Sequence, residues 1–394
     1  MTVTNLARSI TGGVDTHLDV HVAAALDERG TLLGVESFAT TESGYKKLLG
    51  WLSDFGTVEL VGVEGTGSYG AGLTRHLQGE NVRVVEVDRP NRQRRRLKGK
   101  SDPQDAITAA RAALSGEAAG EAKTRDGNVE SMRVLRVARA SARKARTQAL
   151  NQMRTLVSTA PDPIRAELRG LSVFNLLERA SSYRPGAKRD IVSLTKFTLR
   201  MLARRALTLE EEISEIDAIL KPLVKETAPE LVATLGIGTD AASALLVAAG
   251  DNPERMRNEA AFAHLCGASP LDASSGKNQR HRLNRSGDRQ ANSALWHIVL
   301  TRMVYDPRTT EYINRRRTEG LTKKEAVRCL KRYVAREVFS LLPHDTLGLD
   351  SPIGASYGDT RRATDWGHLH LAHMPDEGHS DRMRMWDWLN PAVR

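Results

Sequence analysis

The chain has 394 residues, of which 58 are lysine or arginine and 48 are aspartate or glutamate, giving a net charge of +10. A chain of this length can form two or three domains with a substantial apolar core. Its two cysteines, Cys266 and Cys329, lack a metal-ligand spacing and indicate a reducing compartment. No apolar run approaches a membrane-spanning length and the N-terminus lacks a signal-peptide core, so we expect a soluble, cytoplasmic protein without a membrane partner.

The charge is distributed unevenly along the chain. Residues 1–88 carry 6 basic and 12 acidic side chains, a net charge of −6, so the remainder carries +16. An acidic module followed by a basic one is typical of a metal site joined to a polyanion-binding surface. The alternative is a protein that is basic in general, without this division into two functional modules.

Residues 10–115 alternate between strand-like and helix-like patterns. Strands are predicted over residues 11–15, 20–26, 32–37, 58–63 and 82–87, and helices over residues 43–53, 69–78 and 103–115. Three opening strands with short turns, followed by alternating helices and strands, predict a mixed α/β sheet of the ribonuclease H type. In such sheets the ligand site lies at the carboxyl ends of the strands.

Four acidic side chains fall near the predicted ligand end of this sheet. Asp15 closes the first strand, and Glu64 ends a short apolar run before a glycine-rich segment. Asp102 and Asp105 lie three residues apart at the start of a helix that Ser101 or Asp102 can cap, so they share one face. Carboxylate oxygens suit a pair of Mg²⁺ or Mn²⁺ ions, and such two-metal sites cut or join phosphodiesters.

The densest basic run of the chain lies between residues 88 and 99, beside the carboxylate pair. A basic run is usually a solvated surface, but its position next to a predicted metal site favours contact with phosphate. The candidate nucleic-acid-binding residues of this run are Arg92, Arg94, Arg95, Arg96 and Lys98.

Residues 125–227 are predicted to be helical and nearly free of strands. Apolar residues at helical spacing over residues 129–155 and 191–224 predict a helical hairpin or a coiled-coil-like arm. The arm could dimerise or could pack within the chain, and the sequence leaves both open. The basic face of its first helix adds Arg136, Arg139 and Arg143 as candidates for nucleic-acid contact.

A second compact, mainly helical module is predicted from residue 231 onward. Gly236 and Gly238 form a Gly-x-Gly turn typical of a helix-hairpin-helix element, which holds a DNA phosphate on backbone amides. A loop with Ser274 and Ser275 follows, and sequence alone favours an ordinary surface turn there. Residues 345–394 lack periodicity and are interpreted as a flexible tail. The basic residues in and after the loop are Lys277, Arg280, Arg282 and Arg285.

These motifs, in this order, resemble those of the IS110 family of insertion-sequence transposases over residues 10–342. The resemblance implies a RuvC-like, ribonuclease H-like domain over residues 8–120, a coiled-coil-like region over 125–227, and a C-terminal transposase domain over 228–344. The matching residues are Gly13-Val14-Asp15-Thr16-His17, Val63-Glu64-Gly65-Thr66-Gly67, Lys100-Ser101-Asp102-Pro103-Gln104-Asp105-Ala106, Leu235-Gly236-Ile237-Gly238 and Ser274-Ser275-Gly276-Lys277.

The resemblance also implies chemistry and partners. Asp15, Glu64, Asp102 and Asp105 would hold Mg²⁺, or Mn²⁺ in its place, and Ser275 would attack the DNA backbone to form a phosphoserine link. Ser274 is the immediate alternative nucleophile. The implied partners are donor and target DNA, a structured noncoding guide RNA and further copies of the chain, as a homodimer or a homotetramer built as a dimer of dimers. The implied setting is the bacterial cytoplasm, at the nucleoid when the protein acts.

Two positions depart from the family pattern. Arg285-Ser286-Gly287 stands where Lys-Arg-Gly is usual, and His17 stands where lysine is frequent. We interpret His17 as a residue packed beside the strand end.

Three other functions fit part of the sequence. A RuvC-like nuclease or Holliday-junction resolvase would need only the four carboxylates. A non-catalytic nucleic-acid-binding derivative of a transposase would not need them at all. An actin-like or sugar-kinase ATPase would need a later Gly-Gly adenosine-binding segment, which the sequence lacks.

Overall fold

The N-terminal part of the chain is built on a mixed five-stranded sheet in the order β3-β2-β1-β4-β5. β1, β2 and β3 pair antiparallel, whereas β4 and β5 run parallel to β1. This is the predicted mixed α/β sheet, and it is compatible with a ribonuclease H-like domain. The strands are β1 (Ser9–Thr16), β2 (Val20–Asp27), β3 (Leu32–Ala39), β4 (Thr57–Glu64) and β5 (Arg83–Val87). The computed structural model describes residues 8–87, 101–118, 120–186, 189–272 and 281–343.

The turn between β2 and β3 shows how local sequence fixes the register of the sheet. The Asp27 carboxylate accepts hydrogen bonds from the backbone amides of Arg29, at 3.0 Å, and Thr31, at 2.8 Å. Gly30 takes a positive φ of 81°, which a residue without a side chain adopts at little cost. The bonds from Thr31 and Arg29 also hold the pKa of the Asp27 carboxyl below its usual range.

The two faces of the sheet are covered by different helices because side chains alternate along each strand. Ile10, Val14, Val61 and Val63 pack against α1 (Glu42–Ser53) and α2 (Ala71–Gly79). The opposite face carries α3 (Asp102–Leu114), whose Ala106 lies in one cluster with Val22 and Ala24 of β2. Asp15 follows Val14 and Glu64 follows Val63, so the side chains of both acids lie on this second face.

Two long helices follow, and they pack against each other within the chain. They are α4 (Asn128–Thr159) and α7 (Ile191–Thr227), joined through the short helices α5 (Asp162–Leu168) and α6 (Val173–Ser181). Their shared core includes Met153, Leu199 and Ala203. Ion pairs reinforce the packing, with Arg139 Nε 2.6 Å from Asp217 Oδ1 and a further pair between Arg146 and Glu210.

The C-terminal part is mainly helical, and its core extends into the long helices. Met132 of α4 and Leu220 of α7 belong to the same buried cluster as Leu245, Phe262 and Val338. Packing is therefore continuous across residue 228, and the predicted domain boundaries stay predictions. The helices are α8 (Pro229–Ala233), α9 (Thr239–Ala249), α10 (Glu259–Leu265), α11 (Arg289–Tyr305), α12 (Pro307–Thr318) and α13 (Lys323–Ser340).

A short antiparallel hairpin lies between α10 and α11. Its strands are β6 (Leu271–Asp272) and β7 (His281–Arg282), with Leu271 paired to Arg282. The predicted tail, residues 345–394, lies outside the described residues. Within the part of the chain that the structure describes, no helix has both the length and the apolar character needed to cross a bilayer.

Candidate metal centre and serine loop

Asp15 and Glu64 lie side by side at the carboxyl ends of two neighbouring parallel strands. Val14 pairs with Val63 in the β1–β4 register, so the next residue of each strand is one of the two acids. Both acids are almost fully buried, at 5% and 6% exposure. The Thr16 hydroxyl donates a 2.7 Å hydrogen bond to the Glu64 carbonyl and ties the two strand ends together.

Helix α3 approaches this sheet face unusually closely, and two glycines make the approach possible. A Cβ atom on Gly13 would lie 2.1 Å from the backbone nitrogen of Ala110, and one on Gly62 would lie 2.7 Å from the carbonyl oxygen of Ala109. Neither distance is compatible with a side chain, so glycine is required at both positions. The close contact fixes where the first turn of α3 lies relative to Asp15.

The first turn of α3 carries Asp102 and Asp105. Ser101 occupies the predicted N-cap position with an extended backbone, although its side chain makes no capping hydrogen bond. Pro103 follows in the first turn, where its missing N–H is not needed. Carboxylates at a helix N-terminus are favoured by the helix dipole, so this turn stabilises two acids on one face.

His17 lies between two of the acids. Its Nε2 atom is 3.1 Å from Asp15 Oδ2 and 3.5 Å from Asp102 Oδ1. Each of the three side chains can offer one ligand atom, and these atoms lie within 4.8 Å of one another. We interpreted His17 from sequence as a packing residue, but its side chain is 37% exposed and is directed at the carboxylates. His17 follows the end of β1 at a spacing of two from Asp15, and that spacing was the available signal.

The electrostatics of Asp15 indicate a site that accumulates negative charge. Burial raises the pKa of the Asp15 carboxyl, and the nearby Asp105 and Asp102 carboxylates raise it further, while His17 acts in the opposite direction. A divalent cation would relieve both the desolvation and the repulsion. The donor set of carboxylate oxygens and one imidazole nitrogen suits Mg²⁺ through its oxygens and Mn²⁺ through both atom types.

The candidate nucleophile falls in the predicted loop between β6 and β7, called the serine loop below. Ser275, its alternative Ser274, and the basic residues Lys277 and Arg280 fall within residues 273–280, outside the described residues. The segments on either side of this loop meet at Gly287, which has a φ of 95°. A Cβ atom there would lie 2.6 Å from the Leu265 carbonyl oxygen.

A buried lysine, Lys331, and Asn292 hold the chain at Cys266 and Gly267. This segment leads into the serine loop and is called its base. Asn292 Nδ2 donates to the carbonyl oxygens of Cys266, at 2.8 Å, and Gly267, at 3.0 Å. Lys331 Nζ donates to Asn292 Oδ1 at 2.7 Å, and the lysine is only 6% exposed. Burial lowers the pKa of Lys331 to about 8. Sequence reasoning missed both residues, because each reads as an ordinary polar residue of a helix.

Comparison with known proteins identifies the family. A DEDD transposase model of the IS110 type matches residues 12–160, and a model of the IS116/IS110/IS902 transposase family matches residues 229–314. Together the two matches cover more than half of the chain. The chain belongs to the IS110 family of transposases. The four acids and His17 lie in the first matched segment, and the serine loop lies in the second.

A relative from Streptomyces coelicolor supports the assignment. It is described as the insertion element IS110 uncharacterized 43.6 kDa protein and is 27% identical over 178 residues. The aligned segment covers 44% of this chain and 42% of that protein. The chain thus matches about two fifths of the length of this relative.

In this IS110-family chain, the structure divides the predicted nucleic-acid-binding arginines of α4 into two that pair within the chain and one that is exposed. Arg136 Nη1 donates to Ser243 Oγ at 2.6 Å, and Arg139 bridges Asp217 and Asp240, so both guanidinium groups join helices within the chain. Their side chains are 13% and 15% exposed, whereas that of Arg143 is 57% exposed. Arg143 lies 3.8 Å from Asp240 but keeps most of its side chain in solvent, so it stays a candidate for nucleic-acid contact, whereas the contacts of the other two are structural. Arg92, Arg94, Arg95, Arg96 and Lys98 lie outside the described residues.

The predicted Gly-x-Gly turn joins α8 to α9. Gly236 has a φ of 83° and lies against Ile298 and Arg302, while a Cβ atom on Gly238 would meet nothing within 4 Å. The helix-hairpin-helix role stays a prediction. The first turn of α9 carries Asp240, which is paired with Arg136 and Arg139.

The basic residues that follow the serine loop face solvent. Arg282 and Arg285 are exposed beside its second strand.

Proposed function

We propose that the chain is the transposase of an insertion sequence and that it excises the element and integrates it at a specific site. One observation carries the proposal: Asp15 and Asp102 converge at the end of β1, inside the segment that matches the IS110-type model. Acids that converge at the end of a mixed sheet are suited to phosphodiester chemistry that depends on divalent cations.

In this proposal Asp15, Glu64, Asp102 and Asp105 hold Mg²⁺, with Mn²⁺ as a substitute. When bound, the cation would stabilise negative charge on the scissile phosphate. The chain's own contribution is positioning: the strand register places Asp15 beside Glu64, and α3 delivers its two aspartates to the same face. His17 orients the Asp15 carboxylate through their 3.1 Å contact.

We propose Ser275 as the nucleophile, with Ser274 as the alternative. A bond from the serine Oγ to phosphorus would form while the bond from phosphorus to a deoxyribose oxygen breaks, leaving a phosphoserine link. Attack on that link by another deoxyribose hydroxyl would rejoin the strand and free the serine. Lys277, Arg280 and Arg282 would contact the phosphate and offset its developing charge. The Asn292–Lys331 clamp supports this role by holding the base of the loop.

We propose that a structured noncoding RNA guides the choice of donor and target DNA. Basic residues for the nucleic acids would come from the run at Arg92–Lys98, from Arg143, and from Arg282 and Arg285. Such contacts make affinity fall with rising salt. The working assembly would be a homodimer or a homotetramer.

Excision and strand exchange on a plasmid carrying the element with its flanks would test the proposal. The Asp102→Asn and Glu64→Gln double variant should lose exchange while its binding to the flanking transcript stays unchanged. Ser275→Ala should lose exchange and the covalent protein–DNA adduct, and Ser274→Ala should keep both. A surface variant, Lys46→Ala, provides a control because, among the described residues, the ion pair of Lys46 is with Glu42 on α1.

The same assay distinguishes the alternatives. Full cleavage by Ser275→Ala that still depends on the four acids would favour a RuvC-like nuclease instead. Exchange that survives the double acid variant would refute the metal role. Equal, weak and salt-independent binding to RNA and to random duplex DNA would refute the guide-RNA role.

A further inference from the structure

Among the described residues, two that are not glycine have a positive backbone φ, and they differ in kind. Asn81 has a φ of 61° and Arg125 has a φ of 56°. Asparagine adopts this left-handed region readily because its short side chain bonds to nearby backbone, whereas a long side chain rarely does. Strain of this kind persists only where the surrounding structure holds it, and it is concentrated at functional sites. Arg125 therefore requires an explanation that Asn81 does not.

The chain around Arg125 is held on both sides by contacts from distant parts of the sequence. Before it, the Ala122 amide donates a 3.1 Å hydrogen bond to the carbonyl oxygen of Val84 in β5. After it, the Asp251 carboxylate accepts a 2.8 Å hydrogen bond from the Val129 amide in the first turn of α4. These contacts supply the constraint that a strained backbone needs.

The Arg125 side chain is nearly buried but weakly paired. It is 16% exposed, and among the described residues its ion pair is with Glu130, with Nη1 3.8 Å from Oε2. Glu130 makes closer contacts with Arg133, at 2.7 to 2.9 Å. The Nε atom of Arg125 is buried and makes no hydrogen bond to the described residues. Charge pairing therefore does not explain why the guanidinium is held there.

The glycine-rich loop, residues 65–70, joins the candidate metal ligand Glu64 to α2. Gly65 has a φ of 70°, and its carbonyl oxygen accepts hydrogen bonds from the amides of Ser68, at 2.9 Å, and Gly70, at 3.2 Å. The loop is therefore one closed turn, and a contact on any part of it bears on the position of Glu64.

The Arg125 guanidinium lies against this loop at Gly67. A Cβ atom on Gly67 would lie 2.8 Å from Arg125 Nη2, and among the described residues the guanidinium is the one group that it would meet within 4 Å. A glycine at this position gives the guanidinium its space. The strained backbone at residue 125 and the missing side chain at residue 67 thus meet at a single contact.

We propose that Arg125 is a positioning residue for the metal centre. Through Gly67 it holds the glycine-rich loop, and with it the Glu64 carboxylate, in the geometry that binds a divalent cation. Arg125 itself touches neither the cation nor the phosphate. The strain at its backbone is retained because the guanidinium reaches the loop from there. This inference rests on the proposed metal role of Glu64 and adds a residue outside the four acids.

Hydrogen exchange of the metal-free, full-length chain, followed by mass spectrometry, tests the contact. Arg125→Gly removes the guanidinium and relieves the strained φ. We expect the amides of residues 64–70 to exchange about threefold faster or more, while the urea midpoint of unfolding stays equal or rises. Asn81→Gly is the matched control, because it changes the other positive-φ residue and should leave exchange in the loop unchanged. A merely structural Arg125 would show the opposite pattern, with a lower urea midpoint and an unchanged loop.

Titration with Mn²⁺ alone, followed by electron paramagnetic resonance, measures the consequence for the site. Arg125→Gly should raise the Mn²⁺ Kd by about tenfold, the range seen when residues that orient metal ligands are lost. Asn81→Gly should not change it. Gly67→Ala should also raise the Kd, because its Cβ atom displaces the guanidinium. In the Arg125→Gly background the same substitution should have little further effect, since the two residues act through one contact.

Two results would overturn the positioning role: loop exchange that is unchanged in Arg125→Gly, or additive effects of the Arg125 and Gly67 substitutions on Mn²⁺ affinity. A wild type that binds no Mn²⁺ would instead refute the proposed metal role, and with it the purpose of the contact. Loop exchange, measured without metal, would still show whether Arg125 holds the loop, so the two failures are distinguishable.

Discussion

The acidic centre and the serine loop are held in place by different kinds of contact. The acidic centre rests on a sheet and a helix that touch backbone to backbone through Gly13 and Gly62. The base of the serine loop rests on hydrogen bonds that converge on Asn292 and depend on a buried lysine. Steric contact should make the first site intolerant of added volume, whereas polar contact should make the second intolerant of lost hydrogen bonds.

The largest expected effect is on the acidic centre. Gly13→Ala would drive a Cβ atom into the backbone of α3, so we expect a loss of about 3 kcal/mol or more in the free energy of unfolding. Urea denaturation would measure it. Gly50→Ala is the matched control, because a Cβ atom there meets nothing within 4 Å in an exposed helix and should stabilise by about 0.5–1 kcal/mol. Equal stability of the Gly13 variant and the wild type would contradict the close packing.

A pH effect of similar size should arise behind the acidic centre. Burial lowers the pKa of His21 from 6.5 to about 4, and its ring stacks on Tyr45 with centroids 5.7 Å apart. Between these pKa values the unfolded chain binds more protons than the folded chain, so stability falls as pH falls from 6.5 to 4. The full loss is about 3 kcal/mol. His21→Phe should keep the ring stack and flatten this part of the stability–pH curve, and an unchanged slope would contradict the assignment.

The Asn292–Lys331 clamp should lose stability when one of its hydrogen-bonding groups is removed. Asn292→Ala removes three hydrogen bonds and leaves Lys331 Nζ without its acceptor, which should cost about 2 kcal/mol of stability. Ser293→Ala, on an exposed neighbouring position, is the control and should change stability by less than about 0.5 kcal/mol. Replacing the pair together, with Asn292→Leu and Lys331→Met, should recover part of the loss. A double variant as unstable as the sum of its single variants would argue against the clamp.

The smallest effect separates two neighbouring arginines on α4. Arg139→Leu breaks two ion pairs that join helices within the chain and should lower stability without a specific effect on nucleic-acid affinity. Arg143→Leu, on an exposed side chain, should leave stability unchanged and reduce the slope of log affinity against log salt by about 1. Thermal denaturation and binding titrations at several salt concentrations would measure both. A loss of stability in the Arg143 variant, together with a lower salt slope in the Arg139 variant, would show that Arg139 rather than Arg143 contacts nucleic acid.

Local sequence accounts for much of the N-terminal region. Strand alternation and the short turns between the opening strands predicted the sheet, and the capping signal at Ser101 or Asp102 predicted α3. The sequence could not reveal how closely α3 approaches β1, because the contact joins Gly13 to Ala110 across a long separation. For the same reason the position of His17 between two acids was missed.

Long-range pairing also limited predictions for the helical regions. Periodicity predicted both long helices, but the basic residues of α4 looked alike in sequence. Both Arg139 and Arg143 lie near Asp240, and only the further pair with Asp217 and the lower exposure distinguish Arg139 in the fold. The Asn292–Lys331 contact joins two helices in the same way, and no local pattern marks it.

The most direct test of the acidic centre is a crystal structure with Mn²⁺, located by its anomalous scattering. We expect a peak within direct coordination distance of carboxylate oxygens of Asp15 and Asp102, with Glu64 or Asp105 completing the oxygen ligands. Asp15→Asn crystals grown and soaked identically should lack the peak. No peak in the wild type, or one bound elsewhere on the chain, would contradict the account.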